Sequence, residues 1–279
     1  MTVGNWNEVC ADCTEKPCMQ YSADELLNLP ISEFQHDPNQ NVCVTQAIHA
    51  SGASTNIDSE ACIQCGICVL RCPFDVIQMR IAQPPLVGGD GTSNRRLPLI
   101  DVDEIERHAA SFNEFVRSCS KEQKDLLLRN IFLSMGHAAA IGRGNATRVV
   151  ALSKDKDEKL NIIRTDWGKK PDPEHVRRLA FDDLPMTVPA AYMDGIEPDS
   201  IRAILVFDVP HSRREPAAVQ IATALALWPP YHRLLSIQLI HLAQLMWADA
   251  WKNLNESDFE IVQTDISRRE AAIRQACSE

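Results

Sequence analysis

A chain of 279 residues with 45% hydrophobic and 24% charged side chains has the balance of a folded protein and room for two ordinary domains. Its 28 basic and 38 acidic residues leave a net charge of −10, which excludes a general polyanion binder held by charge alone. No apolar run approaches the roughly 20 residues that a bilayer demands, and the first residues lack the pattern of a secretory signal. The expectation is therefore a cytoplasmic protein with no membrane span.

Eight of the ten cysteines lie between Cys10 and Cys72. With no sign of an oxidising compartment, such clustering points to metal rather than to disulfides. The first set is Cys10-x2-Cys13-x4-Cys18, with Cys43 following after an intervening stretch of 24 residues. Within that stretch, Ser22 stands as the cap of a short helix over 23–29. The second set is Cys62-x2-Cys65-x2-Cys68-x3-Cys72, closed by Pro73. Three thiolates two residues apart can wrap one iron–sulfur cube, while a fourth after a longer gap faces away from it. Gly66 suits the tight path between Cys65 and Cys68, and Pro73 keeps the chain from continuing as helix. A zinc ribbon would instead show two Cys-x2-Cys pairs across a longer knuckle.

The two sets read as copies of one unit. Val-Thr-Gln-Ala-Ile follows Cys43 and Pro-Phe-Asp-Val-Ile follows Cys72. Each ligand is thus followed by a turn and an apolar pair, Ala47-Ile48 or Val76-Ile77, with residues 19–42 as an insertion in the first copy. On these motifs, residues 8–82 resemble the bacterial two-[4Fe–4S] ferredoxins. The resemblance implies an α+β ferredoxin-like iron–sulfur domain over 1–82 that passes single electrons to a redox partner protein or larger complex. It also implies crossed ligation. Cys10, Cys13, Cys18 and Cys72 would hold one [4Fe–4S] cluster, and Cys43, Cys62, Cys65 and Cys68 the other. The longer gap before Cys18 leaves a [3Fe–4S] centre as the alternative for the first set, and buried free thiols as the plain one.

Residues 83–100, with Pro84-Pro85, Gly88-Gly89 and Leu97-Pro98, read as a linker. Beyond it the pattern predicts an α/β domain over 101–279, a mixed sheet covered by helices. Helices are expected over 103–118 and 121–135, and paired strands at 149–152 and 160–164 around a polar turn. Asp172-Pro173-Glu174 opens a helix running to about residue 181. The apolar run 201–209 reads as a strand buried on both faces. The loop His211, Arg213 and Arg214 is the best anion-binding suggestion, though a plain solvated loop is the commoner reading of such a stretch. A helix over 216–227 and a strand and helix within 232–254 complete the order.

Residues 103–254 resemble, faintly, the restriction-endonuclease-like nucleases, on the helix with Glu114, then Gly142-Arg143-Gly144, then the strand hairpin. That resemblance implies a nucleic-acid partner and a metal-dependent site. Of its acidic-x-Lys motif, Asp157-Glu158-Lys159 falls in the polar turn, and Asp166-Trp167-Gly168-Lys169 is one residue too long. Catalytic residues are therefore left unassigned. Two readings stand: electron transfer, and a nuclease-like or nucleic-acid-binding protein braced by structural clusters.

Overall fold

The computed structural model describes residues 2–3, 7–27, 39–82, 92–141, 151–154, 160–167, 201–208 and 233–249. They form two compact units. Described residues up to Met135 and from Ile240 onward make the first, and those between Gly136 and Leu239 make the second.

The first unit begins with β1 (Thr2–Val3), α1 (Asn7–Asp12) and α2 (Ala23–Leu27). Ser22 starts α2 as expected: its hydroxyl accepts from the Glu25 amide at 3.3 Å, and the Glu25 carboxylate accepts from the Ser22 amide at 2.8 Å. The same carboxylate grips Arg71 through two guanidinium nitrogens, at 2.8 and 3.0 Å, and so ties α2 to the turn before Cys72. Strands β2 (Ile48–Ser51) and β3 (Ser54–Ile57) form an antiparallel hairpin. After α3 (Ile67–Leu70), β4 (Ile77–Ala82) pairs antiparallel with both β1 and β5 (Thr92–Arg95).

Two longer helices pack onto this frame. Asp101 caps α4 (Val102–Arg117) by accepting from the amides of Asp103 and Glu104, and Arg117 meets the negative end of the helix dipole. Ser120 and Gln123 form a reciprocal capping box on α5 (Lys121–Ser134). Both helices fall within a residue of their expected bounds. Helix α4 lies against β4, and α5 against α3. Ile67, Met79, Ile81, Leu127, Leu128 and Ile131 are wholly buried there. Each contributes about 1.5–3 kcal/mol of burial relative to exposure.

Helix α5 also buries a polar pair. The Asn130 carboxamide donates to the carbonyls of Asn41 and Val42, both at 2.9 Å, and accepts from Arg129 Nε at 3.0 Å and Nη2 at 2.8 Å. Tyr21 Oη donates to the Asn130 carbonyl at 3.3 Å. The Tyr21 ring faces Arg71 at 4.1 Å and Arg129 at 5.8 Å. These bonds fix the chain that leads into Cys43.

In the second unit, β6 (Ala138–Ala140), β7 (Ala151–Lys154), β8 (Leu160–Asp166), β9 (Ile201–Phe207) and β10 (Arg233–Gln238) form one sheet in the order β10-β9-β8-β7-β6. The expected hairpin is present, with Leu152 opposite Ile162. The sheet is mixed: β8, β9 and β10 run parallel, whereas β6, β7 and β8 are antiparallel. Ile204 and Val206 of β9 are buried completely, as its apolar run demands, and so is Ile163 of β8. Strand β10 leads directly into α6 (Leu239–Trp247), most of which belongs to the first unit. The helices expected over 174–181 and 216–227, and the loop 211–214, lie outside the described residues.

Candidate metal centre

All eight clustered cysteines carry free thiols, and they gather in two places. Cys10, Cys13, Cys18 and Cys72 ring one cavity, lined also by Val76 and Ile77. Cys43, Cys62, Cys65 and Cys68 ring a second, lined also by Ala47 and Ile48. Cys72 thus stands with the amino-terminal cysteines although its sequence neighbours stand with the other set. Among the described residues no three Cys, His, Asp or Glu side chains converge as they would on a single metal ion. Four thiols that ring a cavity without converging on one point suit a multi-atom group better than a lone cation.

The local backbone explains the arrangement. Gln46 and Asp75, each three residues after its cysteine, adopt left-handed φ values of 57° and 54°. Their amides donate to the carbonyls of Cys43 at 3.1 Å and Cys72 at 3.3 Å. One turn therefore occurs twice, and each time it brings the apolar pair to the cavity. Amide donors also reach the sulfurs: Ala47 N donates to Cys43 Sγ at 3.1 Å, and Gln64 N to Cys62 Sγ at 3.4 Å. Thr55 Oγ1 lies 3.8 Å from Cys10 Sγ.

The thiols are a poor resting place for charge without a cation. Burial pushes Cys18 up to about 11, helped by Cys72, Cys13 and Cys10 around it. Burial likewise raises Cys62, Cys65 and Cys68. A bound metal reverses this balance, because coordination deprotonates a thiol outright. Lys16 borders the first cavity with its ammonium donating to the Cys10 carbonyl at 3.1 Å and the Ala53 carbonyl at 2.9 Å. The donor set and its surroundings fit an anionic iron–sulfur cluster, which these thiolates would hold and which would supply one-electron chemistry.

Residues far along the chain reach the second set. Trp247 Nε1 donates to the Cys65 carbonyl at 2.8 Å, and His108 Nε2 lies 2.9 Å from the Gln64 carbonyl. His108 and Phe112 meet the Trp247 ring edgewise, with centroids 4.4 and 5.2 Å away. Burial holds His108 down to about 4, so it is neutral near pH 7, and facing a carbonyl its Nε2 must carry the proton. No local sequence pattern links Trp247 or His108 to a cysteine.

Gly66 follows Cys65 with φ +82°, and a Cβ there would stand 3.0 Å from Met79 Sδ, 3.1 Å from Leu97 Cδ1 and 3.3 Å from Trp247 Nε1. Gly66→Ala is expected to destabilise the protein by about 2–4 kcal/mol through the left-handed backbone and overpacking together. Anaerobic urea denaturation would read this as a lowered midpoint. An unchanged midpoint would mean that the loop relaxes freely.

Of the remaining sequence candidates, the described Glu114 and Asp166 line neither cavity. Glu114 is exposed on α4 in the first unit, whereas Asp166 ends β8 in the second. The segments 142–144, 157–159 and 168–169 lie outside the described residues. Cys119 is buried but lines neither cavity. No helix among the described residues is long and apolar enough to cross a membrane.

Comparison with known proteins bears on the same segment. The 4Fe-4S binding domain family matches residues 55–78, which carry Cys62, Cys65, Cys68 and Cys72. A protein of Methanocaldococcus jannaschii described as an uncharacterized ferredoxin is 31% identical over 116 residues, covering 34% of this chain and 68% of that one. No solved structure matches the chain. Nothing in these comparisons supports the likeness to restriction-endonuclease-like nucleases. Thiol-ringed cavities within a segment of this kind define an iron–sulfur protein that binds a [4Fe–4S] cluster and transfers electrons. The chain belongs to the ferredoxin family.

Proposed function

We propose that the chain holds two [4Fe–4S] clusters in crossed ligation and passes single electrons to a redox partner protein. Cys10, Cys13, Cys18 and Cys72 would bind one cluster, and Cys43, Cys62, Cys65 and Cys68 the other. The observation that carries this reading is the grouping of Cys72 with the amino-terminal thiols and of Cys43 with the later ones. Both cavities present four thiols, so two complete cubes are favoured over a [3Fe–4S] centre. The repeated turn supports the same reading, since it gives each fourth cysteine an equivalent setting. Clusters held in this way exchange one electron at a time, and the amides donating to the sulfurs stabilise the reduced state.

Anaerobic purification should yield a brown protein with about eight irons per chain and two reducible paramagnetic signals. Four irons and one signal would reduce the reading to a single cluster, and zinc in place of iron would end it. The nucleic-acid reading has no observation in its favour.

A further inference from the structure

The segment between Cys62 and Cys68 is held from behind by side chains that lie outside the cysteine-rich sequence. Gln64 and Gly66, on either side of Cys65, have φ values of 59° and 82°. The two peptides flanking Cys65 are planar and trans, so fixing each carbonyl fixes the opposite-facing amide. Those two carbonyls are the ones received by His108 at 2.9 Å and Trp247 at 2.8 Å. The same segment aims an amide at a ligand sulfur, since Gln64 N donates to Cys62 Sγ at 3.4 Å. Both pinning side chains are enclosed: Trp247 is 0% and His108 2% exposed. Water therefore has no room to replace a lost donor. Trp247 is itself anchored, since its carbonyl accepts from the Leu99 amide at 2.7 Å.

We infer that Trp247 and His108 are positioning residues for the cluster of Cys43, Cys62, Cys65 and Cys68, and that by holding the Gln64–Cys65 segment, whose Gln64 amide donates to Cys62 Sγ, they raise its reduction potential. The inference rests on the two-cluster reading above. Its physical basis is that an amide aimed at a cluster sulfur favours the reduced, more negative state. A loop free to turn its Gln64 and Cys65 carbonyls elsewhere would also turn the Gln64 amide away from Cys62 Sγ. Neither residue lines the cavity of these four cysteines, and both act through the backbone.

Trp247→Phe tests this, because it keeps an aromatic ring against His108 and Phe112 and removes only the Nε1 donor. In an anaerobic redox titration followed by electron paramagnetic resonance, one signal should be reduced less readily than in the parent. At the parent midpoint its reduced-to-oxidised ratio should fall roughly five- to tenfold, tenfold being about 59 mV for one electron. That signal should be the one lost in Cys65→Ala, while the signal lost in Cys13→Ala stays in place. His108→Phe should move the same signal in the same direction. If either variant sheds a cluster, loss of the Cys65-dependent signal alone supports the inference, and simultaneous loss of both overturns it. An unshifted midpoint in a variant retaining its iron also overturns it. Iron analysis of the parent tests the two-cluster reading separately, since a parent with four irons would fail that reading whatever the variants do.

Discussion

Replacing Cys72 with Ala should abolish the signal that depends on Cys13 and leave the signal that depends on Cys65. Replacing Cys43 should do the reverse. The first expectation runs against sequence proximity, because Cys72 is four residues from Cys68 and 54 from Cys18. It follows from the cavities, in which Cys72 shares a wall with Cys10, Cys13 and Cys18. A cube left with three thiolates loses an iron readily, so the expected change is loss or conversion of the centre rather than a small shift. Spectra of the two single variants, set beside Cys13→Ala and Cys65→Ala, decide the matter. If Cys72→Ala and Cys65→Ala erase the same signal and spare the Cys13-dependent one, crossed ligation is wrong.

Asn130→Ala should be the most destabilising change outside the cysteines, at about 3–4 kcal/mol. The carboxamide serves four bonds in a buried setting: two to the Asn41 and Val42 carbonyls and two from the Arg129 guanidinium. Its removal strips partners from a wholly buried cation and from two carbonyls beside Cys43. The added change Arg129→Met should recover part of the loss, because an apolar side chain of similar length makes no demand for hydrogen bonds. Anaerobic denaturation midpoints of the single and double variants test this. A double variant no better than Asn130→Ala would show that the carbonyls, and not the cation, carry the penalty.

The parts that were legible in the sequence are those governed by short-range rules. Cysteine spacing exposed the second set, and the match between the stretches after Cys43 and Cys72 exposed the repeated turn at Gln46 and Asp75. Ser22 announced its helix through capping chemistry, which acts over three or four residues, and α4 and α5 showed through their apolar periodicity. What escaped were the long reaches. Trp247 bonds to Cys65 across 182 positions, Tyr21 to Asn130 across 109, and His108 to Gln64 across 44. None leaves a periodic trace in one sequence. Helix α5 misleads for a related reason: Lys124, Asp125, Arg129 and Asn130 look like a solvated face, yet all four are buried along with its apolar side. The sequence also drew a boundary at the Pro- and Gly-rich stretch, while α4, α5 and most of α6 pack in the same compact unit as the cysteines. Of the later sheet, the β7–β8 hairpin and the apolar β9 were visible because local alternation and continuous apolarity suffice to mark them.

The position of Trp247 has a consequence for how the protein is made. Its helix completes a unit that begins at the amino terminus, so the emerging chain presents all eight thiols well before their last support exists. Some 175 residues separate Cys72 from Trp247, which at about 5–20 residues per second is a delay of roughly 10–35 seconds of translation. During that interval the Cys65 loop lacks the indole that will later hold its carbonyl. Iron delivered then meets a looser loop than iron delivered to the released chain. Synonymous codons between positions 73 and 247 that slow or hasten the ribosome would change that interval without altering a single side chain.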